Sequence, residues 1–271
     1  MSSRFFRSLI FAALVWGSLI SYQTQSAELG AVRIILVGDS TMATRTGYGD
    51  ALCQRFRSNV TCINLAKGGR SSGSYRAEGL WDNVIVLLRA KEQYRATYVL
   101  IQFGHNDQPG KPGRSTDLAT QFPVNMNRYV EEVKSLGAVP VLVTPLTRRI
   151  FRDNVLRNDL EPWADAIRRV ASSKKTSLLD LNAASSAAVA KMGSAEADTL
   201  AEEPPPAKPV RESVKAADSA KTEPNGATRS RFDYTHLGAK GAALFARMVI
   251  EEFARAVPTI MASTKLEPSS R

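Results

Sequence analysis

Two polar segments near opposite ends of the chain carry side chains that suit nucleophilic catalysis. Ser40 follows an apolar run that ends in Gly38, and Asp233 precedes His236 by three positions. A serine hydroxyl becomes an effective nucleophile when a histidine takes its proton, and a carboxylate can orient that histidine. The chain has only two histidines, His105 and His236. Because no carboxylate lies three residues from His105, we assign the base to His236 and expect His105 to hold its turn.

The tetrahedral oxyanion formed by such a serine needs hydrogen-bond donors, and three segments can supply them. The candidates are the backbone N–H groups of Ser40 and Gly69 and the side-chain amide of Asn106. Donors that converge on an oxyanion can each be worth ~3 kcal/mol. Taken singly, each residue also suits a plainer role, because Ser caps helices and both Gly and Asn form turns.

Short apolar runs alternate with helical patterns along most of the chain. This alternation indicates a parallel sheet covered by helices on both faces. We predict an α/β fold, namely a flavodoxin-like three-layer α/β/α sandwich with a five-stranded parallel sheet. The turns that follow the first three strands should meet at one edge of that sheet. The predicted strands are 32–38, 60–66, 97–104, 138–145 and 176–182, and the predicted helices are 48–57, 80–90, 116–136, 160–173 and 238–256.

Two segments stand apart from this alternating body. A basic start and an uncharged run over 9–20, too short for the ~20 residues of a bilayer span, predict a secretory signal peptide over 1–27. An uncleaved membrane anchor is the alternative. Residues 195–230 contain five prolines and no aromatic residue, which predicts a disordered insertion. We therefore expect a single domain over 28–271, exported to the periplasm or the cell exterior, with no membrane span after signal removal.

The composition indicates a basic globular protein. Hydrophobic residues make up 44% and charged residues 23%, which excludes a wholly disordered chain, a collagen and a multi-span membrane protein. The formal net charge is +10, which suits an anionic polymer. No nucleic-acid recognition module is visible, so we expect no nucleic-acid partner. Four arginines in the turns are either solvated surface charges or ligands of an anionic substrate: Arg70, Arg76, Arg148 and Arg149.

The two cysteines, Cys53 and Cys62, are too few for a thiolate zinc site or a disulfide scaffold. They lie nine positions apart, one at the end of a predicted helix and one in the following strand. Predicted export permits oxidation. We expect a disulfide between them, with two buried thiols as the alternative.

The order of these polar segments resembles the SGNH (GDSL) hydrolase family: a GDS turn, a glycine after the second strand, G-x-N-D after the third, and D-x-x-H before the last helix. The blocks NLAKGGRSSGSYRAEGLWDNV, IQFGHNDQ, VTPLTRRIF, LLDLNAAS and DYTHLGAKGA are similar to the rhamnogalacturonan acetylesterase branch. The resemblance covers about 32–193 and 232–253. Between these two ranges the sequence departs from the family pattern, because relatives usually carry a shorter connection there.

The resemblance implies a role for each candidate residue. Ser40 would be the nucleophile, Gly69 and Asn106 would complete the oxyanion hole with the Ser40 N–H group, and Asp233 and His236 would complete the triad. It also implies that no metal or cofactor is needed. The expected function is that of a secreted serine esterase that deacetylates an anionic polysaccharide, with rhamnogalacturonan or pectin as the substrate.

Three alternatives remain open from the residues. The same triad would serve a deacetylase of another glycan, or a general GDSL esterase or lipase. A non-catalytic carbohydrate-binding protein on the same scaffold is more distant. A different nucleophile is also conceivable, because Ser71 lies in a G-x-S-x-G string of the kind found at α/β-hydrolase elbows. No clean helix pattern begins directly after that string.

Overall fold

The computed structural model describes residues 31–90, 94–203 and 232–266. The predicted signal peptide and residues 204–230 of the predicted insertion lie outside the described residues. None of the helices in the described ranges combines the length and the apolarity that crossing a bilayer requires.

Five parallel strands form the central sheet, in the order β2-β1-β3-β4-β7. The predicted fold class is therefore confirmed. All seven positions of β1 are buried, as expected for an apolar, β-branched strand covered on both faces. Strand β2 lies on one side of β1, and strand β3 lies on the other. This reversal of direction creates a switch point, and ligands bind at such points in open parallel sheets. The strands are β1 Val32–Gly38, β2 Val60–Asn64, β3 Ala96–Gln102, β4 Val139–Val143 and β7 Ser177–Leu179.

Helices pack on both faces of this sheet and bury two separate cores. Ile34 and Leu36 of β1 point to one core, whereas Ile35 and Val37 point to the other, as the two-residue period of a strand requires. The first core is completed by α1, α6 and α7, and the second by α3, α4 and α5. The helices are α1 Gly49–Cys53, α2 Ser74–Ala77, α3 Leu80–Arg89, α4 Gln121–Ser135, α5 Glu161–Ser173, α6 Leu181–Asp198 and α7 Ala239–Ala256.

Several elements of the structure are absent from the sequence prediction. Helix α6 was missed because its residues are mostly Ala and Ser, without a clear apolar stripe. The side chain of Asp180 accepts a hydrogen bond from the backbone N–H of Ala183 and so caps the start of α6, and Gly193 interrupts the helix with a φ of 74°. A small antiparallel hairpin pairs β5 Phe151–Arg152 with β6 Val155–Leu156, and a 3-10 helix spans Pro258–Ser263.

The segment 195–203 corrects the predicted start of the insertion. Its first residues continue α6, and Leu200 and Ala201 are buried. The carbonyl of Leu200 accepts a hydrogen bond from the Gly238 N–H group at 3.0 Å, and Ala201 forms a β-bridge with Leu237. The disorder prediction was wrong for these nine residues because composition averaged over the whole segment conceals a few well-packed positions.

A disulfide joins Cys53 at the end of α1 to Cys62 in β2, with their Cα atoms 5.4 Å apart. The predicted pairing is therefore present in the structure. It ties the first helix to an edge strand of the sheet.

Candidate active site

Ser40 lies in a tight turn at the carboxyl end of β1. The carboxylate of Asp39 accepts hydrogen bonds from the backbone N–H and the hydroxyl of Thr41, at 2.9 and 2.8 Å. Gly38 is needed just before this turn, because a Cβ there would lie 2.8 Å from the carbonyl oxygen of Gln102 on β3. The close approach of the two strands therefore depends on a residue without a side chain.

A buried chain of hydrogen bonds extends from this turn across the sheet. The hydroxyl of Tyr48 donates to the Gln102 side-chain carbonyl at 2.6 Å, and the Gln102 amide donates to Thr41 Oγ1 at 2.6 Å. Burial raises the pKa of Asp39, but the charge and hydrogen bond of His105, together with the bonds from Thr41, lower it overall. A connected, buried polar network of this kind holds the serine turn in one arrangement.

His105 has a carboxylate partner that is distant in the sequence. Its Nδ1 lies 3.2 Å from Asp39 Oδ2, and the two residues are 66 positions apart. The ring is buried, and its Nε2 has no hydrogen-bond partner among the described residues. The spacing argument considered only carboxylates three residues away, whereas this partner comes from another strand end. The contact links the turn after β3 to the turn after β1.

Asp233 and His236 form a close pair in the loop before α7. His236 Nδ1 lies 2.6 Å from Asp233 Oδ2, and Asp233 Oδ1 accepts the backbone N–H groups of Thr235 and His236 at 2.8 and 2.7 Å. Burial raises the pKa of Asp233, but the interactions with His236 and Thr235 outweigh burial and lower the pKa to about 2. An ionised carboxylate only accepts hydrogen bonds, so Nδ1 carries the proton and Nε2 is the basic nitrogen.

Thr46 connects the serine turn to the loop of Asp233 and His236. Its hydroxyl donates to the carbonyl of Ser40 at 2.8 Å, and its carbonyl accepts the N–H group of Leu237 at 3.0 Å. No hydrogen bond joins Ser40 Oγ to His236 within the described ranges. The structure thus brings the two loops together and forms the Asp–His contact. Catalytic contacts to the nucleophile often tighten only when substrate is bound.

The two other candidate oxyanion residues also meet. The side-chain amide of Asn106 donates to the carbonyl of Arg70 at 3.1 Å, and Arg70 directly follows Gly69. Gly69 has a φ of 77°, in the left-handed region that favours glycine. A primary amide has two N–H bonds, so Asn106 can fix this loop with one and donate to an oxyanion with the other.

Asp107 ties together the segments that carry Gly69 and Asn106, a role that the sequence pattern does not predict. Its buried carboxylate accepts the Ser72 hydroxyl at 2.6 Å, the Ser72 N–H group at 3.1 Å and the Thr116 hydroxyl at 3.0 Å. Helix α4 adds the Tyr129 hydroxyl, which donates to the Ser72 carbonyl at 2.8 Å. Burial raises the pKa of Asp107 to about 6 despite these bonds. The sequence feature that could have indicated this role is the position of Asp107 directly after Asn106 in the same turn.

The alternative nucleophile, Ser71, is buried and engaged within its own turn. Its hydroxyl accepts the Ser74 N–H group at 3.1 Å and lies 3.2 Å from the Ser74 hydroxyl. The following helix, α2, has only four residues. The geometry therefore does not support a nucleophile elbow at Ser71.

The four arginines were expected to be solvated charges or substrate ligands, and the structure corrects the first expectation. Arg76 pairs with Glu132 at 2.6 Å and lies over the ring of Tyr129. Arg149 is only 1% exposed and contacts the loop of Asp233 and His236. These two side chains are held by the protein because polar and aromatic groups surround them.

The other two arginines lie beside the candidate oxyanion residues. Arg70 pairs with Glu78 at 2.7 Å and donates to the carbonyl of Gly68 at 2.8 Å. Arg148 pairs with Asp159 and donates to the carbonyl of His105 at 3.5 Å. Each is mostly buried, lies next to a turn of the site and is paired with a carboxylate.

Comparison with known proteins places the chain in a family. The model of the GDSL-like lipase/acylhydrolase family matches residues 36–244. The probable rhamnogalacturonan acetylesterase YesY of Bacillus subtilis is 30% identical over 158 residues, covering 56% of this chain and 70% of YesY. The rhamnogalacturonan acetylesterase RhgT of the same organism is 33% identical over 158 residues, covering 55% of this chain and 65% of RhgT. A rhamnogalacturonan acetylesterase of Emericella nidulans is 42% identical over 116 residues, covering 42% of this chain and 44% of that protein.

Solved structures agree on the fold. Protein YxiM of Bacillus subtilis aligns with a TM-score of 0.60 at 22% identity, covering 86% of this chain and 58% of YxiM. The acetylxylan esterase Axe2 of Geobacillus stearothermophilus aligns with a TM-score of 0.56 at 16% identity, covering 83% of this chain and 95% of Axe2. The resemblance to SGNH hydrolases of the rhamnogalacturonan acetylesterase branch is confirmed. Because the family match spans well over half of the chain, this protein belongs to the GDSL-like lipase/acylhydrolase family and is a carboxylic ester hydrolase.

Proposed function

We propose that this protein is an exported serine esterase that removes acetyl groups from a polysaccharide, with acetylated rhamnogalacturonan as its substrate. The observation that carries the proposal is the Asp233–His236 pair, whose loop hydrogen-bonds to Thr46 and so lies against the Ser40 turn. The relatives with the matching blocks are named rhamnogalacturonan acetylesterases, which supports this substrate.

Acylation begins when His236 Nε2 takes the proton of Ser40 Oγ as that oxygen bonds to the acetyl carbonyl carbon. The carbonyl electrons move onto oxygen, which accepts hydrogen bonds from the N–H groups of Ser40 and Gly69 and from the Asn106 amide. The ester C–O bond then breaks, and the leaving sugar oxygen takes the proton from Nε2. Asp233 stays ionised throughout and stabilises the imidazolium.

Deacylation repeats these steps with water. His236 Nε2 takes a proton from the water as it attacks the acetyl carbon bound to Ser40. The second tetrahedral intermediate collapses, Ser40 Oγ regains the proton, and acetate leaves. No metal or cofactor is needed for either half of the reaction.

The basic charge of the chain favours an anionic glycan over a neutral one or a lipid. Arg70 and Arg148, each paired with a carboxylate, border the turns that carry Gly69 and Asn106, and Arg114 donates to the carbonyl of Gly69 at 3.5 Å. The chain as a whole is basic, with a formal net charge of +10. Positive potential near a site concentrates an anionic polymer such as one containing galacturonate. A neutral acetylated xylan is the second candidate, because the structural relative Axe2 is an acetylxylan esterase.

Export is proposed from two independent features. The residues over 1–27 follow the pattern of a secretory signal peptide. The disulfide between Cys53 and Cys62 is of the kind that persists in oxidising compartments. Cell fractionation tests this proposal: the protein should be found outside the cytoplasm, with a mature N-terminus near residue 28.

Substitution of the proposed triad tests the chemistry. Ser40→Ala and His236→Ala should each lower kcat by several orders of magnitude, because triad members act as a unit (~10⁶-fold in one measured case). Asn106→Ala should lower kcat by about 10²–10³-fold. Ser172→Ala, at an exposed position of α5, is the matched serine control. Near-normal turnover of p-nitrophenyl acetate by Ser40→Ala would remove the basis of the proposal.

A substrate panel separates the candidate functions. We expect acetate release from acetylated rhamnogalacturonan to exceed release from acetylated homogalacturonan, xylan and peptidoglycan. Preference for long-chain p-nitrophenyl esters would instead indicate a lipase. Polysaccharide binding without any ester hydrolysis would indicate the non-catalytic alternative.

A further inference from the structure

A single buried arginine binds the backbone of the loop that carries Asp233 and His236. Arg149 Nη2 donates to the carbonyl oxygens of Asp233 and His236 at 2.9 and 2.8 Å, and Nη1 donates to the Thr235 carbonyl at 3.4 Å. The backbone N–H group of Arg149 donates to the Tyr234 carbonyl at 2.9 Å. Four successive carbonyls of the loop therefore accept hydrogen bonds from one residue.

These contacts oppose the ones made by the Asp233 carboxylate. The peptide unit between Tyr234 and Thr235 has its carbonyl held by Arg149 and its N–H group held by Asp233 Oδ1. The next unit, between Thr235 and His236, is held in the same way at both ends. The backbone N–H group of Arg149 holds the first of these planes and its guanidinium holds the second, while the Asp233 carboxylate binds both planes from the opposite side. Loss of the guanidinium should therefore free the second plane, together with the carbonyls of Asp233 and His236.

The position of Arg149 in the chain makes it an external support for the loop. It lies in the segment between β4 and β5, whereas the loop is more than eighty positions later in the sequence. Burial lowers the pKa of Arg149 to about 10, against the opposing charges of Asp233 and Asp198, so the side chain remains a cation at neutral pH. A buried cation is unfavourable unless polar groups surround it, and here the carbonyls of the loop are those groups.

We propose that Arg149 is a positioning residue of the esterase reaction, which orients the Asp233 carboxylate by clamping the peptide planes that the carboxylate itself binds. This inference rests on the proposed Ser40–His236–Asp233 mechanism. Among the described residues, no hydrogen bond joins Arg149 to Ser40, Gly69 or Asn106, so it acts through Asp233 on the direction of His236 Nδ1. Its removal should impair proton transfer and leave ester binding largely unchanged.

Kinetics of p-nitrophenyl acetate hydrolysis test this role. Arg149→Met removes the charge and all donors of the side chain, and Arg149→Lys keeps the charge but loses the planar fork. We expect Arg149→Met to lower kcat by about 10²-fold, as for a misplaced catalytic group, with KM within about twofold. Arg149→Lys should be intermediate. Arg152→Met, at an exposed position three residues along, is the control and should stay within about twofold of wild type.

A double-mutant cycle separates positioning from general stabilisation. If Arg149 acts through Asp233, adding Arg149→Met to Asp233→Ala should lower kcat by less than about threefold, far below the product of the single effects. Full multiplication of the two effects would overturn the proposal. If circular dichroism shows that Arg149→Met is not folded, the same double-mutant cycle is measured with Arg149→Lys.

A spectroscopic signature provides an independent readout. The His236 Nδ1 proton, in its 2.6 Å contact with Asp233, should give a downfield proton NMR signal in wild type and in Arg152→Met, and lose it in Arg149→Met. Wild-type kcat in Asp233→Ala would overturn both this inference and the proposed triad. A large loss in Asp233→Ala with wild-type kcat and signal in both Arg149 variants would overturn only the role of Arg149.

Discussion

Two Asp–His pairs lie near the serine, and exposure distinguishes them. The imidazole of His105 is 3% exposed beside a fully buried Asp39, whereas His236 is 12% exposed beside an Asp233 that is 22% exposed. A base must reach both the serine proton and the leaving oxygen of the substrate. The more accessible pair suits this role, and the buried pair suits the fixing of two turns.

The ionisation of Asp233 should not limit catalysis in the neutral range, because its pKa is about 2 and the carboxylate stays charged there. A base must be neutral to accept the serine proton, so kcat/KM should increase as pH rises from about 4.5 to about 8.5. Enzymatic assay of the released acetate measures the profile.

The buried carboxyl of Asp107 provides the comparison for this profile. In Asp107→Asn, kcat/KM should still increase with pH, since the serine proton is not transferred to Asp107. A flat profile in the wild type, or loss of the rise in Asp107→Asn, would contradict the assignment of His236 as the base.

The candidate site is assembled by elements that are distant in sequence. The turns after β1, β2 and β3 and the loop before α7 supply its side chains, and they meet beside the switch point of the sheet. Helix α4 supports this edge from one face, because Asn125 donates to the Ser72 hydroxyl at 3.0 Å and Tyr129 binds the Ser72 carbonyl. The position of the oxyanion loop therefore depends on packing as well as on its own turn residues.

Asp107, at the centre of this support, should make stability depend on pH. Its pKa is about 6 in the folded protein, above its ordinary value of about 4, so between these two pH values the folded state binds a proton that the unfolded state has lost. The free energy of unfolding that Asp107 contributes should therefore fall by up to about 3 kcal/mol as pH rises from about 4 to about 6.

Urea unfolding of wild type and Asp107→Asn at about pH 4 and about pH 6.5 measures this contribution. We expect the stability of wild type relative to Asp107→Asn to be lower at the higher pH. Asp153→Asn, in the exposed turn of the β5–β6 hairpin, is the control. If the difference in unfolding free energy between wild type and Asp107→Asn is the same at both pH values, or changes in the opposite direction, burial does not raise the pKa of Asp107.

On the scale of the whole molecule, the family match extends across residues 204–231, which lie outside the described residues. Residues on either side of that stretch meet in the structure. Leu200 and Ala201 contact Leu237 and Gly238, immediately after His236. The described residues on the two sides of that stretch thus meet next to the candidate active site.

Two replacements should separate the roles of these segments. Exchange of 204–231 for a Gly/Ser linker of about ten residues should leave small-ester hydrolysis within a few-fold, because loop closure changes by only about 0.6 kcal/mol per doubling of length. Exchange of 195–231 should lower both stability and activity, since it removes the buried Leu200 and Ala201.

Thermal unfolding and p-nitrophenyl acetate hydrolysis measure both proteins. If the 204–231 replacement remains folded by circular dichroism but loses small-ester hydrolysis, that segment contributes directly to the active site.

The sequence by itself determined the strands and most of the long helices, and it favoured the cysteine pairing that the structure contains. The sequence carries local signals for these features, namely β-branched runs that end in glycine, apolar periodicity and the nine-position spacing of the two cysteines. The structure largely agrees with these signals. The contact of Asp233 with His236 could also be predicted, because they lie three positions apart in one loop. Helix α6 lacked such a signal, since Ala and Ser leave no apolar stripe.

Only the tertiary structure decided which polar groups are buried together. Asp39 meets His105, Ser72 meets Asp107, and Arg149 meets the loop at 233–236, across separations from 35 to 87 positions. A buried polar group must find a partner, but the partner is chosen by how strands and helices pack. For the same reason Arg149, which the sequence presents as a surface charge or a substrate ligand, became a buried support of the Asp–His pair.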